Sequence, residues 1–318
     1  MASPVTVRLP VPPGVAPGPL QTALQRALAV FAEVETACTR FVATSPLMRA
    51  NDHPEVWHRV PAPLFDALVA AADAHRSTGG RFDPRVLTDL TRLGYGRSLP
   101  FEAGPVEVPA DLADPADPAG PADAPPASPS RRPVPWHPRF QTATREVHLD
   151  GSPVDLGGIG KGLAIRWAGD RLATVTSDFL VEAGGDCLCA GLAADGGPWR
   201  VGVEDPLGGE QVAVLAVSDR ACATSSIRLR RWRAGGRWVH HLIDPYTGEP
   251  GGAGLLSVTV VHSDPAIAEV ASKVHFLAGL PGIAREVETC GYGVIWVDDN
   301  GVLRANAAAG EYVQWLRT

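Results

Sequence analysis

Four glycines crowd into nine residues at Val154-Asp-Leu-Gly-Gly-Ile-Gly-Lys161-Gly162, between a strand-forming stretch and an amphipathic run. Glycine tolerates backbone conformations and close approaches that other residues do not, so this stretch reads as a tight strand-to-helix turn with unscreened N–H groups. The helix expected over 163–173 adds the positive end of its dipole, and Lys161 adds a full charge. Such a turn suits an anion with several oxygens, a diphosphate above all, although its spacing is not that of a Walker loop. Gly157, Gly158, Gly160 and Lys161 are its candidate binding residues.

What surrounds the turn narrows the fold class. With 318 residues, 45% of them apolar, the chain can bury a core for one large domain or two intimate ones. A net charge of −7 excludes a nucleic-acid partner held by electrostatics. No apolar run approaches the roughly 20 residues of a membrane span. The first ten residues carry no export pattern, so the expected location is the cytoplasm. Five scattered cysteines read as free thiols, with Cys187 and Cys189 two apart on one face of a strand, as small buried hydrophobes. Of 28 basic residues only Lys161 and Lys273 are lysine, so neither is background.

Helical periodicity marks 20–40 and 65–75, a segment from 82 to 94 entered through Pro84, and 265–277 with Asp264 as its N-cap. Strands are expected at 5–9, 145–149, 179–183, 199–203, 212–217, 238–244 and 256–262, then a hairpin of 292–297 with 302–304. Residues 103–135 are rich in Pro, Ala and Asp with almost no bulky side chain, and are expected to form a disordered insertion. It divides an N-terminal part, 1–102, from a C-terminal part, 136–318, of one α+β domain with largely antiparallel strands and flanking helices.

Three further groups accompany the turn. Glu182-Ala-Gly184-Gly185-Asp186 sets a carboxylate after a second glycine turn. Thr224-Ser225-Ser226 follows a strand, where hydroxyls can meet phosphate oxygens, and His240-His241-Leu-Ile-Asp244-Pro-Tyr-Thr-Gly248 joins a base candidate to a carboxylate at a tight turn. Singly, each is explained by turn chemistry.

In this order and spacing, however, Asp155-Leu-Gly-Gly-Ile-Gly-Lys-Gly-Leu-Ala164, Val181-Glu-Ala-Gly-Gly-Asp186, Trp199-Arg-Val-Gly-Val-Glu-Asp-Pro206 and His240-His-Leu-Ile-Asp-Pro-Tyr-Thr-Gly248 resemble the FAD:protein FMN transferases, the ApbE family. The resemblance extends upstream through Thr39-Arg-Phe41, Asn51 and Thr78-Gly-Gly-Arg-Phe-Asp-Pro84, to Met1-Ala-Ser3. It implies an ApbE-like fold with FAD in a cleft between two lobes. The implied reaction passes FMN from FAD to a serine or threonine hydroxyl of an acceptor protein, releasing AMP, usually with Mg²⁺. It further implies that Asn51 contacts the adenine side. Asp155 to Gly162, Thr224 and Ser225 line the phosphates. Gly184, Gly185 and Asp186 shape the flavin pocket. His241 is the base for the acceptor hydroxyl, beside Asp244.

The sequence departs from the family pattern at the metal. Where the resemblance implies an aspartate and, four residues on, a threonine, this chain has Glu269 and Lys273, and Gly160 replaces an alanine whose carbonyl assists. Glu and Lys at i and i+4 share a helical face, and an ammonium offers only donors. Three readings follow. Lys273 takes over the metal's electrostatic role as a catalytic group; Gly160, Glu269 and Ser272 keep a weakened Mg²⁺ site; or the protein binds FAD without transferring FMN. FAD pyrophosphatase activity, with water as acceptor, is a further alternative.

Overall fold

The computed structural model describes residues 4–10, 17–101, 104, 106–108 and 135–317. Runs rich in Val, Ile and Ala, buried nearly throughout in the central strands, build a seven-stranded sheet. Its order is Val5–Arg8, Phe179–Ala183, Asp186–Ala190, Arg220–Ser226, Leu255–His262, Gly293–Asp298, Leu303–Ala305, with every neighbouring pair antiparallel. Val5 pairs with Ala183, so the two parts of the chain flanking 103–135 share one sheet.

Alternation sorts the side chains of this sheet onto two faces. Cys187, Cys189, Cys222, Val261, Ile295 and Val297 point to one, where they meet a three-stranded sheet of Trp199–Glu204, Gln211–Val217 and Val313–Leu316. These three cysteines are buried in an apolar cluster, as expected for Cys187 and Cys189.

The other face carries helices. The described residues form α1 (Pro17–Cys38), α2 (Pro46–Asp52), α3 (Ala62–Ser77), α4 (Leu87–Arg92), α5 (Gly160–Ala173), α6 (Pro265–Leu277) and α7 (Gly279–Val287). Ala23, Ala27 and Val30 of α1 pack with Ala164, Ile165 and Ala168 of α5 over Phe179, Val181 and Ala183. Ala268, Ala271 and Phe276 of α6 cover Ala221, Ala223, Val258 and Val260. Helix α6 begins as its sequence predicts, with Asp264 Oδ1 accepting the N–H groups of Ala266 and Ile267 at 2.9 and 3.1 Å.

Three expectations need correction. Helix α5 begins at Gly160, inside the glycine turn, and not at 163. The expected strand 238–244 breaks into Arg237–His240 and Ile243–Asp244. Within 103–135, Val106–Val108 is a strand parallel to Arg231–Ala234, because alternation buries Val108 against Gly94 and the Trp232 cluster. Met1-Ala-Ser3 and most of the rest of 103–135 lie outside the described residues.

Candidate active site

The glycine turn is built from four directions. Asn51, in α2, clamps Val154: its Nδ2 donates to the Val154 carbonyl at 2.8 Å and its Oδ1 accepts the Val154 N–H at 2.9 Å. Both ends of this amide are thereby engaged in positioning the turn. The Asp155 N–H donates to the Pro84 carbonyl at 2.7 Å, and Asp155 Oδ1 accepts the Gly157 N–H at 2.8 Å. Arg40 Nε lies 3.4 Å from Asp155 Oδ2.

The amides of the turn are less available than the sequence suggests. Gly157 donates to Asp155, Gly160 to the Leu156 carbonyl at 2.8 Å, and Gly162 to Glu269 Oε2 at 2.8 Å. A carboxylate from α6 thus already occupies the N-terminal end of α5, where the helix dipole favours an anion. Gly162 permits this arrangement, because a Cβ there would meet the Pro265 carbonyl oxygen at 2.5 Å and Ala266 Cα at 2.6 Å. A Cβ on Gly158 would meet Phe82 at 2.9 Å and the Lys273 side chain at 3.4 Å. The glycines therefore serve close packing of α5 on α6 and admit the Lys273 stem against the turn.

What the site presents is a group of charges. Lys161 is ion-paired to Asp186 and lies 3.2 Å from Glu269 Oε1; Lys273 Nζ approaches the same Oε1 at 3.3 Å. Burial alone would raise the Glu269 carboxyl, but Lys161 and then Lys273 bring it down to about 2. Burial would lower Lys161, yet Asp186 and then Glu269 hold it above its ordinary value, whereas Lys273 is lowered, chiefly by burial. Gly184 and Gly185, at φ +58° and +88°, form the two-residue hairpin turn that pairs Asp186 with Ala183. Asp186 is buried, with Oδ1 accepting the Thr224 N–H at 3.0 Å.

Thr224 and Ser225 do not act as a pair. Both lie within the Arg220–Ser226 strand and not after it, because that strand is paired on both sides. Successive side chains then face opposite ways. Ser225 is buried against Ser272 Oγ at 2.8 Å, on the α6 face, while the Thr224 hydroxyl meets Thr259 at 2.9 Å on the other.

His241 is held at both its backbone N and its Nδ1, each 3.3 Å from the Arg230 carbonyl. A carbonyl only accepts, so Nδ1 carries the proton and Nε2 keeps its lone pair. Burial, followed by Arg230, His240 and Lys273, lowers the His241 pKa well below the usual imidazole value, so the ring is a neutral base. Asp244 does something else. Its Oδ1 accepts the Tyr246 N–H at 2.9 Å and its carbonyl accepts those of Thr247 and Gly248. It caps a turn.

One arginine belongs to the site without having been assigned a role from sequence. Arg40 is buried against the rings of Phe41 and Tyr95, 4.2 and 4.4 Å from their centroids, and braces Asp155. Its motif Thr39-Arg-Phe41 was the available signal.

A profile of the ApbE family matches residues 1–296. The chain belongs to the ApbE family. Among ApbE relatives, it is similar to the FAD:protein FMN transferase of Haemophilus influenzae, 25% identical over 289 residues covering 88% of this chain and 80% of the relative. The match to the FAD:protein FMN transferase of Klebsiella pneumoniae is 33% identical over 115 residues, 34% of this chain, and spans about a third of that relative's length, 32%. The solved ApbE protein of Thermotoga maritima superposes with a TM-score of 0.73 at 23% identity, over 98% of this chain and all of that one, and so shares the α+β fold.

The Mg²⁺ that the ApbE resemblance implies does not fit the residues present. Such an ion needs a near-octahedral shell of oxygens. Glu269 Oε2 already accepts the Gly162 amide, and Oε1 faces two ammonium groups. Ser272 Oγ donates to the Glu269 carbonyl at 2.9 Å and pairs with Ser225. No cluster of three or more His, Cys, Asp or Glu able to hold a metal occurs among the described residues. Gly160, Glu269 and Ser272 are therefore a helix junction in this ApbE chain, not a metal shell.

Proposed function

We propose that this chain is an FAD:protein FMN transferase, moving FMN from FAD onto a serine or threonine hydroxyl of an acceptor protein. The observation that carries this reading is the gathering of the Lys161 and Lys273 ammonium groups on Glu269 at the start of α5, in a chain that also holds His241 neutral with its Nε2 unprotonated. The acceptor oxygen forms a bond to the FMN phosphorus and gives its proton to Nε2. The bond from that phosphorus to the bridging oxygen breaks, and its electron pair leaves with AMP. Because phosphoryl transfer needs mainly positioning and charge neutralisation, the ammonium groups supply the larger part of the chemistry.

The parts 1–102 and 136–318 act as one domain in this reading, joined through the strand Val5–Arg8, with 103–135 as an insertion anchored at Val106–Val108. Free thiols at Cys38, Cys187, Cys189, Cys222 and Cys290 support action in the cytoplasm. No helix among the described residues is long and apolar enough to cross a membrane.

The test is incubation with FAD and an acceptor domain bearing a threonine flavinylation site, following AMP and flavin fluorescence that survives denaturing electrophoresis. Equal amounts of AMP and protein-linked flavin are expected. Free FMN in place of linked flavin would make the protein a pyrophosphatase, and intact bound FAD would make it a binder.

A further inference from the structure

We infer that Lys273 takes the place of a divalent cation on the FAD diphosphate, so that this protein binds its substrate without metal. The inference rests on the proposed FAD chemistry and goes beyond it. Lys273 is in the right place on two counts. Its ammonium sits on Glu269 Oε1, the carboxylate a metal would need. Its stem lies along the glycine turn, with Cε 3.4 Å and Cδ 3.5 Å from where a Cβ of Gly158 would be.

The decisive measurement is FAD affinity by flavin fluorescence, in EDTA and in excess Mg²⁺. The wild-type protein is expected to bind equally in both. Lys273→Thr is expected to bind about tenfold or more weakly in EDTA, the loss of one charge-assisted contact, and to recover in Mg²⁺. Electron paramagnetic resonance of Mn²⁺ with the wild-type protein and FAD needs no variant and is expected to show only free ion. Wild-type binding that EDTA abolishes and Mg²⁺ restores, or Mn²⁺ bound stoichiometrically, would overturn the inference and leave the transferase reading intact. Unchanged affinity of Lys273→Thr in EDTA would overturn it equally. Failure to bind FAD under every condition would remove both.

Discussion

Glu269 holds the site together as a single carboxylate shared by three donors, and the behaviour of His241 follows from the charges assembled around it. Among the groups that lower its pKa are Arg230 and Lys273, both cationic, and burial acts in the same sense. A depressed imidazole stays neutral, and therefore basic, as pH falls through the usual value near 6.5. The rate of FMN transfer is accordingly expected to hold level as pH falls through 6.5, with its acid limb well below that value. A pH–rate profile half-lost near pH 6.5 or above would contradict the assigned environment. His241→Gln is expected to slow transfer about 10²- to 10⁴-fold with FAD affinity nearly unchanged, since a general base acts on the proton in flight and not on the bound ground state. Equilibrium binding beside single-turnover kinetics separates the two.

At the scale of elements, the crossing of α5 on α6 decides where the charges meet. Gly162→Ala would drive a methyl into the Pro265 carbonyl and Ala266, and is expected to cost about 1–3 kcal/mol in a denaturant titration, the usual penalty of overpacking. Gly158→Ala presses instead on Phe82 and the Lys273 stem. Its expected signature is weakened FAD binding with stability little altered. The elements themselves were largely legible. Asp264-Pro265 announced the start of α6, and the run at 179–183 is the strand Phe179–Ala183. The start of α5 was misplaced by three residues, because glycine has poor intrinsic helix propensity and only the approach of Glu269 supplies the Gly162 amide with a partner.

For the whole molecule, histidines set the response to acid. Burial lowers His240 to about 4 and depresses His75, His241, His262 and His275 as well. Between about 6.5 and 4 the unfolded chain binds protons that the folded one refuses, so these groups make stability fall as pH falls through that window. The urea midpoint is expected to be lower at about pH 5 than at about pH 7.5, and an unchanged midpoint would contradict their burial. Replacing residues 111–132 by a short Gly-Ser linker is expected to leave the melting temperature and FAD affinity unchanged. The sheet that joins the two parts of the chain runs through Val5–Arg8, and Val106–Val108 is retained.

The amino-acid sequence alone determined that a glycine turn feeds a helix, that strands pair antiparallel beneath helices, and that two rare lysines stand where chemistry is expected. These are local matters of backbone freedom, periodicity and composition. Tertiary structure decided what the turn does. Its amides are taken up by Asp155, Leu156 and Glu269, and Asn51 is a clamp on Val154. Asp244 is a turn cap, and Thr224 and Ser225 face opposite sides of a strand. The opposite facing of Thr224 and Ser225 follows from strand register, and the contacts of Gly162 with Glu269 and of Asn51 with Val154 join residues about a hundred positions apart. No local pattern encodes such a meeting, because it exists only once the sheet and both helices have packed.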